Sequence, residues 1–167
     1  MVIKEINLLT NNLTSTEEFY TKILDFPFFD RSDTRISFFA GHTILSFSLV
    51  ANQKPYYHFA FSIPTNKFEE AYSYIAQRAT ILPFDAHSTI ADFNNWNAHA
   101  FYFHDNQNNI LEFIAHHDLP TTSNQPFTSS SITGVCEIGL PVEDVTEACK
   151  IINEKLEVPY FKKGPRL

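Results

Sequence analysis

The sequence predicts an α+β fold assembled from repeated units of one strand, one helix and three strands. Aromatic residues make up 15% of the chain, with 17 Phe against only 4 Gly. Such residues suit a pleated, half-buried sheet surface. The strand–helix–strand–strand–strand plan occurs twice and then begins a third time, and a repeat at a fixed period is informative about the whole fold.

Length and charge narrow the classes of function. The chain has 167 residues, which is enough for one domain and part of another. Its net charge of −7 argues against binding to nucleic acid or an anionic membrane, because both need clustered Lys and Arg. The cluster of Lys162, Lys163 and Arg166 is interpreted as a solvated tail.

The compartment is inferred from targeting signals and cysteine motifs, neither of which is recognised in the sequence. No apolar run approaches the roughly 20 residues that cross a bilayer, and the N-terminus lacks the apolar core of a signal peptide. The two cysteines, Cys136 and Cys149, stand in no CxxC or Cys/His pattern, so the spacing predicts no zinc module. We therefore expect a reduced, cytoplasmic protein.

The first module is predicted over residues 1–52. Residues 2–10 alternate as a strand does. Thr14 and Glu17 have capping-box spacing at the start of a helix. Two strands at 35–40 and 43–50 then form a hairpin.

The second module is predicted over residues 56–117. It opens with a strand at 56–63, and Asn66 is expected to cap the following helix. The remaining predicted elements are a strand at 80–84, a loop at 85–97 and a hairpin of strands 99–104 and 109–115.

A third module begins after a predicted linker at 118–132. Residues 133–142 are interpreted as a strand, and Asp144 as the cap of a helix, within a partial module over 133–167. Segment 4–13 aligns with segment 136–145. That match places a glutamate at the same point of both copies.

Four motifs, taken in order, resemble the vicinal oxygen chelate superfamily, which contains glyoxalases, bleomycin-resistance proteins and dioxygenases. They are Asn12-Leu13 with Phe19-Tyr20 and Leu24-Asp25-Phe26, then Tyr57-His58-Phe59-Ala60-Phe61, then Trp96-Asn97-Ala98, then the segment from Tyr102 to Phe113. These resemble the family's "D-L … F-Y … L-G-F", "H-x-A-F", "W-N-A" and "Y-F-x-D-P-D-G-N-x-x-E-F". The resemblance covers residues 2–116 as a whole domain and 133–161 as a partial repeat.

The resemblance implies that the paired βαβββ modules, residues 1–117, curve into an incomplete barrel. Several residues depart from the family pattern. Asp25 stands where the first module has Gly, Glu157 stands at the matching point of the third copy, and Asn106 and Asn108 replace the Pro and Gly of the hairpin. Asn tolerates the left-handed backbone conformation, so the turn can survive.

The resemblance also implies a divalent metal, one of Mn, Fe, Co, Ni or Zn, held by Glu5, His58 and Glu112. Ser46 falls where a fourth ligand, a carboxylate, would be expected, and Glu137 of the partial module could supply one instead. One imidazole and two carboxylates suit such metals. The alternatives are a surface role for Glu5 and a structural role for His58 and Glu112.

A second set of residues is predicted to contact a small-molecule substrate. It comprises Asn7, Tyr56, Trp96, His99 and Tyr102. Tyrosines in sheets also commonly belong to the core. We expect His104, His116 and His117 to face solvent.

Two functions remain open from the sequence. One is a metal-dependent lyase, isomerase or thiol transferase of glyoxalase type that acts on a small molecule with vicinal oxygens. The other is a metal-free ligand-binding protein similar to bleomycin-resistance proteins, and an interaction module without a small-molecule role is a third option. Extradiol dioxygenase activity is disfavoured, because such enzymes resemble a two-His, one-carboxylate site.

The partial module bears on assembly. A lone strand and helix would leave an apolar stripe and a sheet edge exposed. We therefore expect residues 133–156 to pack back on the first domain or to pair with another subunit, in a homodimer.

Overall fold

The computed structural model describes residues 2–160, which form two mixed β-sheets and, within that range, three α-helices. The predicted α+β class is confirmed, and both sheets are open. The chain divides into two compact units at Ile138 and Gly139. None of the helices described is long and apolar enough to span a membrane.

The first sheet contains the four strands of the first module in the order β1-β4-β3-β2. The strands are β1 (Glu5–Thr10), β2 (Phe28–Arg31), β3 (Arg35–Ala40) and β4 (Thr43–Leu49). β1 runs parallel to β4, whereas β3 is antiparallel to both its neighbours. Ile6 and Leu8 point into the core and Glu5, Asn7 and Leu9 point away, because strand side chains alternate between faces.

The first helix, α1 (Leu13–Glu18), continues into a π-helical turn, Phe19–Ile23. Its cap is Asn12, whose side chain accepts a 3.0 Å hydrogen bond from the Ser15 amide. The capping box predicted at Thr14 and Glu17 is therefore wrong. The turn buries Tyr20 completely.

The second sheet contains the strands of the second module and one strand from the third. Its strands are β5 (His58–Ser62), β6 (Ile90–Phe93), β7 (Ala98–His104), β8 (Ile110–His116) and β9 (Gly134–Ile138). The order is β6-β7-β8-β5-β9. β5 runs parallel to β8, and β9 is antiparallel to β5.

Three predictions in the second module are wrong. Residues 80–84 form only an isolated bridge from Ile81 to Phe103, and β6 lies inside the segment predicted as a loop. Helix α2 (Phe68–Ala76) begins after Lys67. Asn66 does not cap it, because the Asn66 amide instead exchanges two hydrogen bonds with the Ser123 backbone.

Three turns keep a left-handed backbone conformation at positions where the family pattern has Gly. Asp25 and Glu157, which stand at the family's Gly position, have φ of 57° and 52°. Asn108 in the β7–β8 hairpin has φ of 62°. All three adopt the left-handed conformation that glycine favours, so the turns survive the substitutions.

A Phe-rich core joins the two modules. Its largest members come from both sheets: Phe38 and Phe47 from the first, and Phe61, Phe103 and Phe113 from the second. The Tyr20 hydroxyl donates a 3.0 Å hydrogen bond to the buried carboxylate of Asp105 in the β7–β8 turn.

The third copy is divided between the two compact units. β9 belongs to the larger unit, residues 2–138, because it hydrogen-bonds to β5. The smaller unit contains α3 (Val145–Leu156), whose cap is Asp144 as predicted, with a 2.9 Å bond from the Glu147 amide. Residues 133–156 were expected to pack back on the first domain or to pair with another subunit; within them, β9 pairs with β5. Residues 161–167 lie outside the described part of the chain.

Candidate functional site

The candidate site lies on the face of the second sheet that points away from the Phe-rich core, which we call the site face. On β5, Phe59 and Phe61 enter the core, whereas His58 and Ala60 lie on the site face. The floor of this face is made mainly of alanine, since Ala60, Ala91, Ala98 and Ala100 form a separate buried cluster with Ile114. Small residues leave room above the sheet for longer polar side chains.

His58 and Glu112 form the central pair of the site face. His58 Nε2 lies 3.2 Å from Glu112 Oε2, and His58 Nδ1 donates to the Ile110 carbonyl at 3.2 Å. The Glu112 side chain is only 3% exposed, whereas that of His58 is 36% exposed. β5 and β8 bring the two side chains together because His58 pairs with Ile110 and Ala60 with Glu112.

The pKa values of both members of the pair lie above their ordinary values, for different reasons. The hydrogen bond to Glu112 raises the pKa of His58, although burial opposes that shift. Burial raises the pKa of the Glu112 carboxyl, and the negative charge of Glu137 adds to the effect. A cation next to Glu112 would relieve both the desolvation and the repulsion.

An open apolar pocket lies beside His58. It has a volume of about 320 Å³ and is lined by His58, Leu82, Pro83, Phe84, Tyr102 and Ile110. The rings of Phe84 and Tyr102 lie nearly parallel, with centroids 6.4 Å apart. Burial and the charge of Glu112 raise the pKa of Tyr102, so its phenol stays protonated and can donate a hydrogen bond. The volume falls in the range of small-molecule sites.

A second polar group stands on the same face, at β9. The pairing of β9 with β5 shifts register between Ala60 and Phe61, so that Cys136 is the extra residue of a bulge. Ligand atoms of His116, Cys136 and Glu137 all lie within 4.8 Å of one another. Burial, followed by the charge of Glu137, raises the pKa of the Cys136 thiol.

The predicted ligand Glu5 lies in the first sheet. Its carboxylate accepts a 2.6 Å bond from Arg35, which also donates to Ser46 Oγ at 2.8 Å. Within residues 2–160, Glu5 does not join His58 and Glu112 in a group whose ligand atoms lie within 4.8 Å. The structure thus brings two of the three predicted ligands, His58 and Glu112, together. The third, Glu5, pairs with the Arg35 side chain of its own sheet.

The predicted substrate-contacting residues are dispersed. Asn7 accepts a bond from Ser48 in the first sheet, and Tyr56 is 60% exposed. Trp96 packs against Phe93 at the rim of the alanine floor. His99 contacts Phe68 of α2 on the opposite side of the second sheet. Tyr102 is the member of this set that lies beside His58, with ring centroids 6.0 Å apart.

Sequence reasoning missed part of the site. His116 was expected to face solvent, but it is 6% exposed, and its Nε2 lies 3.5 Å from Glu137 Oε1. The prediction is wrong because His116 is the last residue of β8, whose even-numbered side chains point to the site face. The match between Glu5 and Glu137 was the available signal for the β9 carboxylate.

Solved structures with the same fold share little sequence with this chain. A glyoxalase/bleomycin resistance protein/dioxygenase from Nocardioides is 20% identical, with a TM-score of 0.55 over 75% of this chain and 89% of that one. A lactoylglutathione lyase from Agrobacterium tumefaciens is 18% identical, with a TM-score of 0.53 over 67% and 91%. These similarities concern the fold.

A third structure is a variant of a fosfomycin resistance protein from Listeria monocytogenes, solved with Mn(II) and 1S,2S-dihydroxypropylphosphonic acid. It is 19% identical to this chain, with a TM-score of 0.52 over 68% of this chain and 89% of that one. No curated protein matches the chain.

The family model supplies the assignment. The model of the glyoxalase/bleomycin resistance protein/dioxygenase superfamily matches residues 2–155, which include both complete modules and the third copy as far as α3. The fold and the order of the βαβββ modules agree with that match, so the chain belongs to the glyoxalase/bleomycin resistance protein/dioxygenase superfamily.

Proposed function

We propose that the protein is a divalent-metal-dependent lyase, isomerase or thiol transferase of glyoxalase type, acting on a small molecule with vicinal oxygens. The observation that carries the proposal is the His58–Glu112 pair on the site face, next to the 320 Å³ apolar pocket. A buried carboxylate beside a half-exposed imidazole provides both a place for a cation and access to it from solvent.

The donor set fits a divalent ion of the Mn, Fe, Co, Ni or Zn group. His58 Nε2 and Glu112 Oε2 are 3.2 Å apart, which is the separation of two neighbouring ligands on one ion. The Nδ1 bond to the Ile110 carbonyl orients the ring and leaves Nε2 for the ion. Glu5 is retained as a proposed third ligand, and its ion pair with Arg35 would have to open first.

The residues around the pair suit a small oxygen-rich substrate. A metal held by His58 and Glu112 would supply Lewis-acid polarisation of two vicinal substrate oxygens. Tyr102 can donate a hydrogen bond to one of them, because its phenol stays protonated. Phe84 and Leu82 would exclude water from the apolar part of the substrate. The Mn(II) of the Listeria protein belongs to a chain of the same fold and is consistent with this assignment.

The second candidate is a metal-free protein that binds a small molecule. Two observations favour it. Ser46, at the position where a carboxylate was expected, is buried and hydrogen-bonded to Ser37. The alanine floor also makes much of the site face apolar, as in many pockets that hold ligands by shape.

Metal content separates the two candidates. We expect near-stoichiometric divalent metal in the purified protein, measured by inductively coupled plasma mass spectrometry, and its loss from a His58→Ala, Glu112→Ala double variant. His99→Ala is the matched control, since this imidazole lies on the other side of the sheet. Absence of metal, even after incubation with Mn, Co, Ni and Zn, would rule out the metal-dependent function and favour the ligand-binding function.

A homodimer remains a proposal for this chain. Support now comes from the first sheet, whose exposed apolar side chains are Leu9, Phe28, Phe29, Phe39 and Leu49. Exposed apolar patches of this kind mark association surfaces. Light scattering coupled to size-exclusion chromatography should give twice the 19.2 kDa chain mass, and a monomer at all concentrations would contradict it.

A further inference from the structure

We propose that the site face carries a second cation site, formed by His116, Cys136 and Glu137, for a borderline-soft divalent ion such as Zn²⁺. This site lies where the end of β8 meets the bulge of β9. It differs from the His58–Glu112 pair in its residues and in having a sulfur donor. It does not depend on the proposed function.

The spacing of the three side chains fits an ion better than it fits direct hydrogen bonds. His116 Nε2 lies 3.5 Å from Glu137 Oε1, beyond the usual range of about 2.7–3.2 Å for N–H···O bonds. Two ligands at tetrahedral angles on zinc, each about 2.0–2.2 Å from it, stand about 3.4 Å apart. Cys136 Sγ is within 4.8 Å of both atoms, so a small side-chain rotation completes three corners of a tetrahedron.

The backbone brings the three donors to one face by two different devices. His116 reaches the site face through the regular alternation of β8. Cys136 and Glu137 are consecutive and would normally point to opposite faces. The bulge opposite Ala60 and Phe61 turns both toward the site face.

The bulged strand is anchored by the first module as well as by β5. The His42 amide donates to the Thr133 carbonyl at 3.0 Å, and the Val135 amide donates to Thr43 Oγ1 at 3.0 Å. These bonds fix the backbone on the N-terminal side of Cys136. A prepositioned backbone reduces the ordering that an ion would require.

The donor types select the ion. One imidazole, one thiolate and one carboxylate match zinc and cobalt, whereas Mg²⁺ and Ca²⁺ prefer sites made only of oxygen. Three protein ligands leave a fourth position for water or a donor atom of a bound molecule. The Cys136 thiol proton passes to solvent when sulfur binds the ion, so affinity rises with pH.

The two sites are separable along β8. Glu112 and His116 are four residues apart on one strand, which corresponds to about 13 Å between their Cα atoms. Glu137 also acts electrostatically on Glu112, so the test of the β9 site has to follow its sulfur donor, which the His58–Glu112 pair does not have.

Cobalt provides a direct test, because a thiolate ligand produces a near-ultraviolet charge-transfer band that nitrogen and oxygen ligands do not. We expect Co²⁺ titration of the metal-free protein to produce this band in the wild type and in a His58→Ala, Glu112→Ala variant. Cys136→Ser and His116→Gln should lose it. Cys149→Ser is the matched control for the chain's other cysteine and should keep it.

Three outcomes would overturn the proposal: no band in the wild type, a band that survives Cys136→Ser, or loss of the band in the His58→Ala, Glu112→Ala variant. Thiol labelling of the wild type tests the same point without any substitution. Zn²⁺ should slow the reaction of one of the two thiols with a disulfide reagent. If Zn²⁺ changes the labelling rate of neither thiol, the proposal is also overturned.

Discussion

The outward faces of the two sheets follow one module plan but carry different chemistry. In the first sheet, Glu5 on β1 is neutralised by Arg35, and Ser46 and Ser37 bond to each other. In the second sheet, His58 on β5 meets Glu112 on β8 without any Lys or Arg partner among the ion pairs of residues 2–160. The carboxylate thus pairs with a guanidinium in one sheet and with an imidazole in the other.

The difference indicates how a repeated module specialises. Both complete modules keep the same parallel pairing of their first and last strands, β1 with β4 and β5 with β8, so the backbone presents equivalent positions. The charged partner of each carboxylate is what differs between them. The first module then acts as support, since its hairpin turn holds the segment before β9.

The largest expected effect is on stability, through the support that the hairpin turn of the first module gives to the segment before β9. Gly41→Ala should destabilise the protein by about 2–5 kcal/mol, because φ is positive there and the new Cβ meets the Thr133 backbone at 2.3 Å. Chemical denaturation gives the free energy of unfolding. Gly139→Ala, at an exposed position, is the control, and equal stability of the two variants would refute the supporting role.

The next effect compares one carboxylate from each sheet. Glu112→Gln should weaken divalent-cation binding at least about tenfold, as expected for a lost metal partner. Glu5→Gln should weaken it by a smaller factor, because Glu5 can act as the proposed third ligand only after its ion pair with Arg35 has opened. Calorimetric titration measures both. Equal losses would show that the centre is assembled from both sheets.

A third prediction concerns the proton on the His58–Glu112 pair. The metal-free protein should show a His58 pKa above the ordinary value of 6.5, and Glu112→Gln should lower it by removing the main cause. Because the folded pKa exceeds the unfolded one, the pair stabilises the fold below about pH 6.5 and loses this contribution as pH rises through the folded pKa. Histidine NMR titration measures the shift, and a His58 pKa unaffected by Glu112→Gln would contradict the pairing.

The smallest effect should come from the first sheet. Arg35→Gln removes a half-exposed ion pair, so the free energy of unfolding should fall by less than about 1 kcal/mol. The same substitution frees Glu5. If cation affinity then rises in thermal-shift assays with Mn²⁺ or Zn²⁺, Arg35 is what keeps the first sheet from contributing a ligand.

Much of the architecture was predictable from local patterns. Strands β3, β4, β7 and β8 lie close to their predicted positions, because alternation and turn residues are local signals. The cap at Asp144 was also predictable. The cap of α1 at Asn12 and the start of α2 after Lys67 were not predictable in this way. At α2, the expected cap Asn66 is held instead by the distant Ser123 backbone.

The candidate site divides in the same way. The sequence by itself determined the βαβββ repeat and the family, and the family resemblance singled out His58 and Glu112 together with Glu5, since motif order can be read along the chain. Tertiary structure alone decided that Arg35 occupies Glu5, that His116 is buried, and that a bulge turns Cys136 and Glu137 to one face. Those outcomes depend on strand register and on charges distant in sequence, which no local pattern encodes.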